Sequence, residues 1–401
     1  MELHKGDLFW EETRSETRYM QLNRDIEAEV LIIGGGMTGA LIAHALVEDG
    51  HDVAVIDKRS PGYGSSNGNT GIIQYNSDKS LDLMIDDFGK ARAVDFYRIS
   101  LEAMQELGRI AGKLGDVGYK STTSLFLAAS EKDLPAMRRN YEALNLYDFP
   151  AEWIDKETLK TDYRLEAEAA ILTSGDAELN PFKMVQCLHE HTLENGGRVY
   201  AETESKKIKE DKDGFLITTE KNHTIRSKVL ILATGYEKGV VSDVEPYTER
   251  DTTYSLVTGK VDDFWGNSEM IWDSAEPYVY FRRTEDDRII AGGFDEKGTR
   301  FSSERKIKKT TDDIMDRMKA YFPDLKAEPE HRWQSVFAVS RDGIPFIDRD
   351  RKNPDKYFAL GYGGNGTCYS VIASMFIREY LKGNTHPKAY TTAMVDRKKT
   401  D

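Results

Sequence analysis

The stretch EVLIIGGGMTGALIAHALVEDGHDVAVIDKR, residues 29–59, decides the fold. Within it, residues 30–33 (VLII) form an apolar run suited to a strand buried on both faces. Gly34, Gly36 and Gly39 follow in G-x-G-x-x-G spacing. Ala40 to Val47 is rich in good helix formers, and Gly50 can stop that helix. A second apolar run, 53–56, closes on Asp57. The order is strand, turn, helix, strand, with an acid about 20 residues beyond the glycines, and this predicts a dinucleotide site. Gly34 permits the tight turn, Gly36 lets the backbone approach a pyrophosphate, and Gly39 lets the helix pack closely on the strand. Gly35, Met37 and Thr38 complete the loop and first helical turn, where free N–H groups and the positive dipole end would meet the phosphates. Asp57 would accept hydrogen bonds from ribose hydroxyls, and its charge would repel a 2′-phosphate. Lys58 and Arg59 stand beside it as further candidates.

Outward from this unit, composition narrows the possibilities. The chain has 401 residues, enough for two domains, and is 39% hydrophobic and 31% charged. Its net charge of −14 argues against a nucleic-acid partner, because a polyanion would be repelled. That charge serves solubility and would also attract a cationic substrate. The two cysteines, Cys187 and Cys368, lie far apart and form no metal or redox spacing. His189 and His191 lie two apart and so do not share a helix face, and no metal centre is expected. The N-terminal residues have no apolar signal region, and no run is long enough to span a membrane. A reducing cytoplasm is the default compartment.

Further along, residues 81–114 read as largely helical, 124–128 as a strand and 131–144 as a helix. Next come a helix stopped at Gly196 and Gly197, then a β-meander ending in the apolar run 229–233 before Thr234 and Gly235. Residues 250–300 alternate like antiparallel strands, and 305–321 reads as a helix. The segment KYFALGYGGNGTCYSVIASMFIREYLKG is strand, glycine turn and long helix. DFWGNS and RDRKNPDK read as solvated loops. Nucleotide-type elements therefore occur at the start, in the middle and at the end. That interleaving predicts an α/β fold: a Rossmann-like domain built from discontinuous segments, plus a β-rich α+β substrate domain. The expected division is 1–90, 160–245 and 328–401 for the cofactor, and 91–159 and 246–327 for the substrate. Such a layout suits an elongated cofactor lying across the sheet, namely FAD.

The motifs GGGMTG…DKR, GYGSSNGNTGIIQ, LILATG, RDGIPFID and ALGYGGNGTCYS, in this order, resemble those of the D-amino-acid-oxidase-like FAD oxidoreductases. That group includes glycine oxidase and sarcosine oxidase. DLFWEET and YVYFRRTEDDRIIAGG are similar to segments of the gamma-glutamylputrescine-oxidase-like branch. The resemblance implies a glutathione-reductase-type FAD domain. It implies that Ser65, Ser66 and Asn67 line the pyrophosphate and approach the isoalloxazine, and that Asn69, Thr70, Gly71 and Ile72 run beside the flavin. Thr234 and Gly235 would sit near the adenosine half. Gly361 and the turn Gly363, Gly364, Asn365, Gly366 and Thr367 would precede the last helix. The N-terminus of that helix would stabilise charge on reduced flavin by about 0.3–1 kcal/mol.

Departures from the resemblance carry information. Asn67, Gly71 and Gln74 stand where sarcosine oxidase has a histidine and two arginines, and Cys368 where it has a lysine. Phe337 stands where glycine oxidase has its carboxylate-binding arginine. Ser335 stands where sarcosine oxidase has its flavin-linking cysteine, so FAD is expected to be non-covalent. Arg282 and Arg283 share a strand, so either one of the two reaches the active site or they form a surface pair with the acidic run EDD. Tyr254, Trp272, Tyr278, Tyr280, Trp333 and Tyr362 are candidates for an aromatic box. The catalytic expectation is Arg282, Tyr254, Tyr280 and Asn365. The expected reaction is FAD-dependent oxidation of an amine or amino-acid C–N bond by hydride transfer to flavin N5, giving an imine that water hydrolyses. Oxygen or another carrier would take the electrons. The alternatives are oxidation of a hydroxy acid, and a flavin-bound electron-transfer subunit.

Overall fold

The computed structural model describes residues 1–401 apart from 14–16, 238–243, 263–268, 361, 395–396 and 398–401. Gly361 and the DFWGNS segment therefore lie outside the described residues.

The apolar run at 30–33 forms the end of the strand Ile26–Ile33, which pairs in parallel with Val53–Ile56 on one side and Thr224–Leu232 on the other. Burial on both faces explains its lack of alternation. The helix Met37–Glu48 follows, and every residue from Met37 to Val47 is buried. A helix with no polar face must be covered all round, and Pro181–Glu194 and Gly366–Leu381 pack against it. Gly34 adopts φ +112°, and a Cβ at Gly39 would lie 1.8 Å from the Gly34 carbonyl oxygen. The turn and the close approach expected of these two glycines are both present.

This first sheet runs Ser205–Asp211, Gly214–Thr219, Thr224–Leu232, Ile26–Ile33, Val53–Ile56, Arg198–Ala201, Met20–Gln21. Lys356–Leu360 adds in parallel beside the last residues of Thr224–Leu232, and Phe346–Arg349 pairs with it. Pieces from the start, middle and end of the chain thus share one sheet.

The second sheet runs His4–Gly6, Pro329–Ser340, Thr248–Thr258, Ile289–Lys297, Val279–Arg283, Met270–Asp273, Lys120–Leu127, Ala169–Glu178, Ile72–Ile73, with Ala151–Asp155 also on Ala169–Glu178. Its pairs are antiparallel except Met270–Asp273 with Lys120–Leu127. The helix Glu304–Tyr321 covers one face, packing Ile307, Ile314 and Met318 against Val279 and Phe281. The two longest strands with no counterpart in the sequence expectations are Ala169–Glu178 and Pro329–Ser340. Residues 333–336 are buried in succession, so no period of two shows there. Both strands fall in segments expected on the cofactor side but pair in the substrate sheet. We propose a domain division that follows the sheets. No described helix is long and apolar enough to cross a membrane.

Candidate active site

The carboxyl ends of the parallel strands open onto a cavity of about 520 Å³ lined by Gly34, Gly36, Asp57, Lys58, Arg59, Thr234 and Gly235. Asp57 accepts the Gly35 N–H on one oxygen and the Arg59 N–H on the other, each at 2.7 Å. Burial pushes its carboxyl pKa up, opposed by these backbone bonds and by Arg59 and Lys58. Lys58 is tied to Glu237 at 2.5 Å. The Thr234 hydroxyl is buried without a partner.

A small cavity of about 70 Å³ continues from there, lined by Gly36, Met37, Thr38, Ser65, Ser66, Gly366 and Thr367 among others. A chamber of about 130 Å³ follows, lined by Asn69, Thr70, Ile72, Gly363, Gly364 and Asn365 among others. Ser65 and Tyr236 border all three spaces, which therefore form one trough. An elongated dinucleotide fits this shape. It also fits the donors: the N-terminus of Met37–Glu48 opens at Gly36, and the Ser335 hydroxyl and Gln74 amide nitrogen are buried without partners.

The segment beside the chamber is held from behind. The Gly68 carbonyl accepts the Trp333 indole N–H at 3.1 Å, and the Asn69 carbonyl that of Trp10 at 2.6 Å. The Thr70 carbonyl accepts Arg282 Nε at 3.0 Å, and the Gly71 carbonyl the Leu179 N–H at 3.2 Å. Four successive carbonyls are thereby fixed on one side, which leaves Asn69, Thr70 and Ile72 to line the chamber. Ser66 Oγ accepts the Met37 N–H at 3.2 Å, and Asn67 donates to Glu11 at 2.9 Å.

Of the expected catalytic residues, Tyr280 and Asn365 line the chamber; Arg282 and Tyr254 do not. Arg282 is buried, bonded to the Thr70 and Leu179 carbonyls and 3.6 Å from Glu178. Burial lowers its pKa and raises that of Glu178, against their mutual attraction. Its partner on the strand, Arg283, pairs with Asp287 and opens onto a separate surface groove. Tyr254 faces the Glu304–Tyr321 side, where its hydroxyl meets Ser302 at 2.8 Å and Glu296 at 3.1 Å. Its neighbour Thr253 lines the chamber instead. Of the aromatic candidates, Trp272, Tyr278 and Tyr280 line the chamber, Tyr362 lines the small cavity, and Trp333 lies behind Gly68. Of the positions that departed from relatives, Gln74, Ser335 and Phe337 line the chamber. Cys368 points instead at the Ser100 carbonyl, 3.6 Å away, and burial pushes its thiol up to about 12.

Some residues of the site had no sequence signal attached. Thr203 to Ile208 line the first cavity; the strand before them pairs in parallel with Val53–Ile56, so they emerge at the same end as Asp57. His189 is buried, its pKa lowered to about 4 by burial, and its Nε2 bonds the Gly35 carbonyl at 3.0 Å. His191 meets His44 and Glu48 across two helices, with ligand atoms within 4.8 Å of one another, a juxtaposition that spacing within one helix could not reveal. Glu48 in that group is also paired with Lys113 at 2.6 Å. Asp78 and Asp295 are the charged groups among the described lining of the chamber.

Comparison with known proteins agrees with this architecture. The family profile described as DAO, FAD dependent oxidoreductase, matches residues 29–379. The chain is 24% identical over 380 residues to gamma-glutamylputrescine oxidoreductase of Escherichia coli (strain K12), covering 90% of this chain and 85% of that one. It is 22% identical over 378 residues to glycine oxidase of Geobacillus kaustophilus (strain HTA426), covering 88% and 93%. The crystal structure of glycine oxidase from Geobacillus kaustophilus is similar with a TM-score of 0.81 at 18% identity, over 93% of this chain and 99% of that chain. At such identity the structural likeness speaks for the fold alone.

Proposed function

The chain belongs to the DAO family of FAD-dependent oxidoreductases, and we propose that it oxidises the C–N bond of an amine whose reacting carbon carries no carboxylate. One observation carries this reading: the described lining of the chamber holds two carboxylates, Asp78 and Asp295, and no Lys, Arg or His. A carboxylate on the reacting carbon would be buried without a cation, at a cost of about 3–5 kcal/mol. That is about a hundredfold or more in binding. Phe337 adds apolar surface to the same wall and favours an alkyl substituent. A hydroxy acid meets the same penalty.

FAD would be held by the Gly34–Gly39 loop, Asp57, the 65–72 segment and the turn at Gly363–Thr367. When bound, it would supply a two-electron acceptor for the hydride lost from the carbon beside the amine nitrogen. The protein's part is orientation and exclusion of water. Tyr280 and Trp272 would confine the substrate, and Asn365, tied to the Asn76 carbonyl at 2.5 Å, would hold the turn in place. An amine bound as its free base leaves as the iminium, which water hydrolyses, so no dedicated base is required. The Ser335 hydroxyl offers no thiolate for a flavin bond, so acid precipitation should leave the yellow colour in the supernatant; colour in the pellet would refute non-covalent binding.

Anaerobic flavin bleaching, followed by steady-state kinetics, tests the substrate class. Putrescine and gamma-glutamylputrescine are compared with glycine, sarcosine, D-alanine and hydroxy acids. A small amino acid with kcat/KM within about tenfold of the best amine would defeat the proposal. Bleaching by a protein partner alone would point to an electron-transfer subunit.

A further inference from the structure

The chamber carries negative charge that its own walls do not balance. Asp78 accepts the Gly364 N–H at 3.0 Å. Asp295 accepts the Tyr278 hydroxyl at 2.6 Å on one oxygen, while its Oδ1 is buried with no hydrogen-bond partner. No Lys, Arg or His is among the described residues lining the chamber, the cations Arg305, Lys306 and Lys309 bordering Asp295 only in a separate surface groove, and Asp78 raises the pKa of Asp295 further. Asp78 is exposed and Asp295 half-buried, so it is Oδ1 of Asp295 that lacks the cation or donors a buried carboxylate oxygen normally has. Both groups sit with Trp272, Tyr278 and Tyr280, whose ring faces attract cations.

We propose that the substrate bears a second positive charge, remote from the reacting amine, and that Asp78 and Asp295 hold it: the substrate is a diamine or polyamine. This rests on the amine-oxidation reading above. The reacting nitrogen binds as the free base, and the far nitrogen stays protonated against the two carboxylates. An aliphatic chain between them suits the aromatic and Phe337 walls. The same two charges would repel a carboxylate at the far end of a chain.

The test compares monoamines and diamines of matched length on the FAD-loaded enzyme: butylamine with putrescine, and hexylamine with 1,6-diaminohexane. The diamine of each pair should have the higher kcat/KM by about ten- to a hundredfold, the range for a hydrogen bond to a charged group. Asp78→Asn and Asp295→Asn should each shrink that ratio, chiefly through KM of the diamine. A monoamine that matches its diamine, or ratios unchanged in both variants, overturns the second charge and leaves amine oxidation standing. Flavin reduced by hydroxy acids or amino acids and by no amine overturns both. The wild-type ratios decide the matter if either variant fails to fold.

Discussion

At the Gly34–Asp57 end of the trough, the glycine turn and its acid come from one contiguous stretch, joined by residues 203–208 and 233–237, and the Asp57 carboxylate has two N–H donors of its own. At the Tyr280–Asp295 end, the lining comes from stretches near residues 65–78, 253, 272–280, 295, 335–337 and 363–365. There the described lining supplies carboxylates and no cation. At the first end the protein's own N–H groups satisfy the Asp57 carboxylate. The second has no cation in its described lining, and the proposed substrate charge would complete it. Binding specificity therefore resides where the protein tolerates a cost to its own stability.

The contrast can be broken by mutation. The largest effect should come from Arg282→Met, which strips donors from the Thr70 and Leu179 carbonyls and leaves Glu178 buried without its partner. Loss of one member of such a pair costs about 3–5 kcal/mol, measurable by chemical denaturation. Turnover should fall more than FAD affinity, because the loosened 69–72 segment borders the chamber. A drop in FAD affinity with turnover intact would mean that Arg282 serves the cofactor end.

Next in size is Asp57→Ala, which should weaken FAD binding by roughly 1.5–3 kcal/mol, seen as a raised Kd in flavin fluorescence titration. The loss includes the two N–H groups of Gly35 and Arg59 that Asp57 now satisfies. Unchanged affinity would reduce Asp57 to a strand-end residue. Tyr254→Phe is smaller still. It removes a hydroxyl bonded on the face away from the chamber, so about 0.5–1.5 kcal/mol of stability should go while kcat holds. A collapse of kcat would return Tyr254 to the reaction.

The smallest effect concerns Asp295. Burial raises its pKa to about 6, with Asp78 and Asp251 adding to the rise and the Tyr278 and Thr253 bonds opposing it. A folded pKa above the unfolded value favours the protonated form, so this group's stabilisation is complete below the unfolded pKa and is lost as pH rises through about 6. Without substrate, Asp295→Asn should therefore melt above wild type at pH 8, by about a degree or two, and show less advantage at pH 5. No pH dependence in that difference would mean that Asp295 is already neutralised.

The residues of the dinucleotide unit were legible one by one. Its geometry is local: a strand, a turn at Gly34, the close approach at Gly39 and an acid at the next strand end follow from backbone sterics within one short stretch. That the start, middle and end of the chain share one sheet was legible too, because each of those segments carries its own apolar run. Side-chain direction in the chamber was not. Whether Thr253 or Tyr254 faces the chamber depends on a register shift between Thr252 and Tyr254 against the neighbouring strand. Arg282 shares the chamber face with Tyr278 and Tyr280, yet it turns to the Thr70 carbonyl, because that carbonyl and Glu178 are brought there by the pairing of Ile72–Ile73 with Ala169–Glu178. Trp10, His189, Asp78 and Asp295 gained their roles in the same way, through contacts between segments far apart in the chain. Local backbone chemistry wrote the cradle into a single stretch; the chamber exists only once distant strands have settled their register, since a slip of one residue would turn each of its side chains to the opposite face.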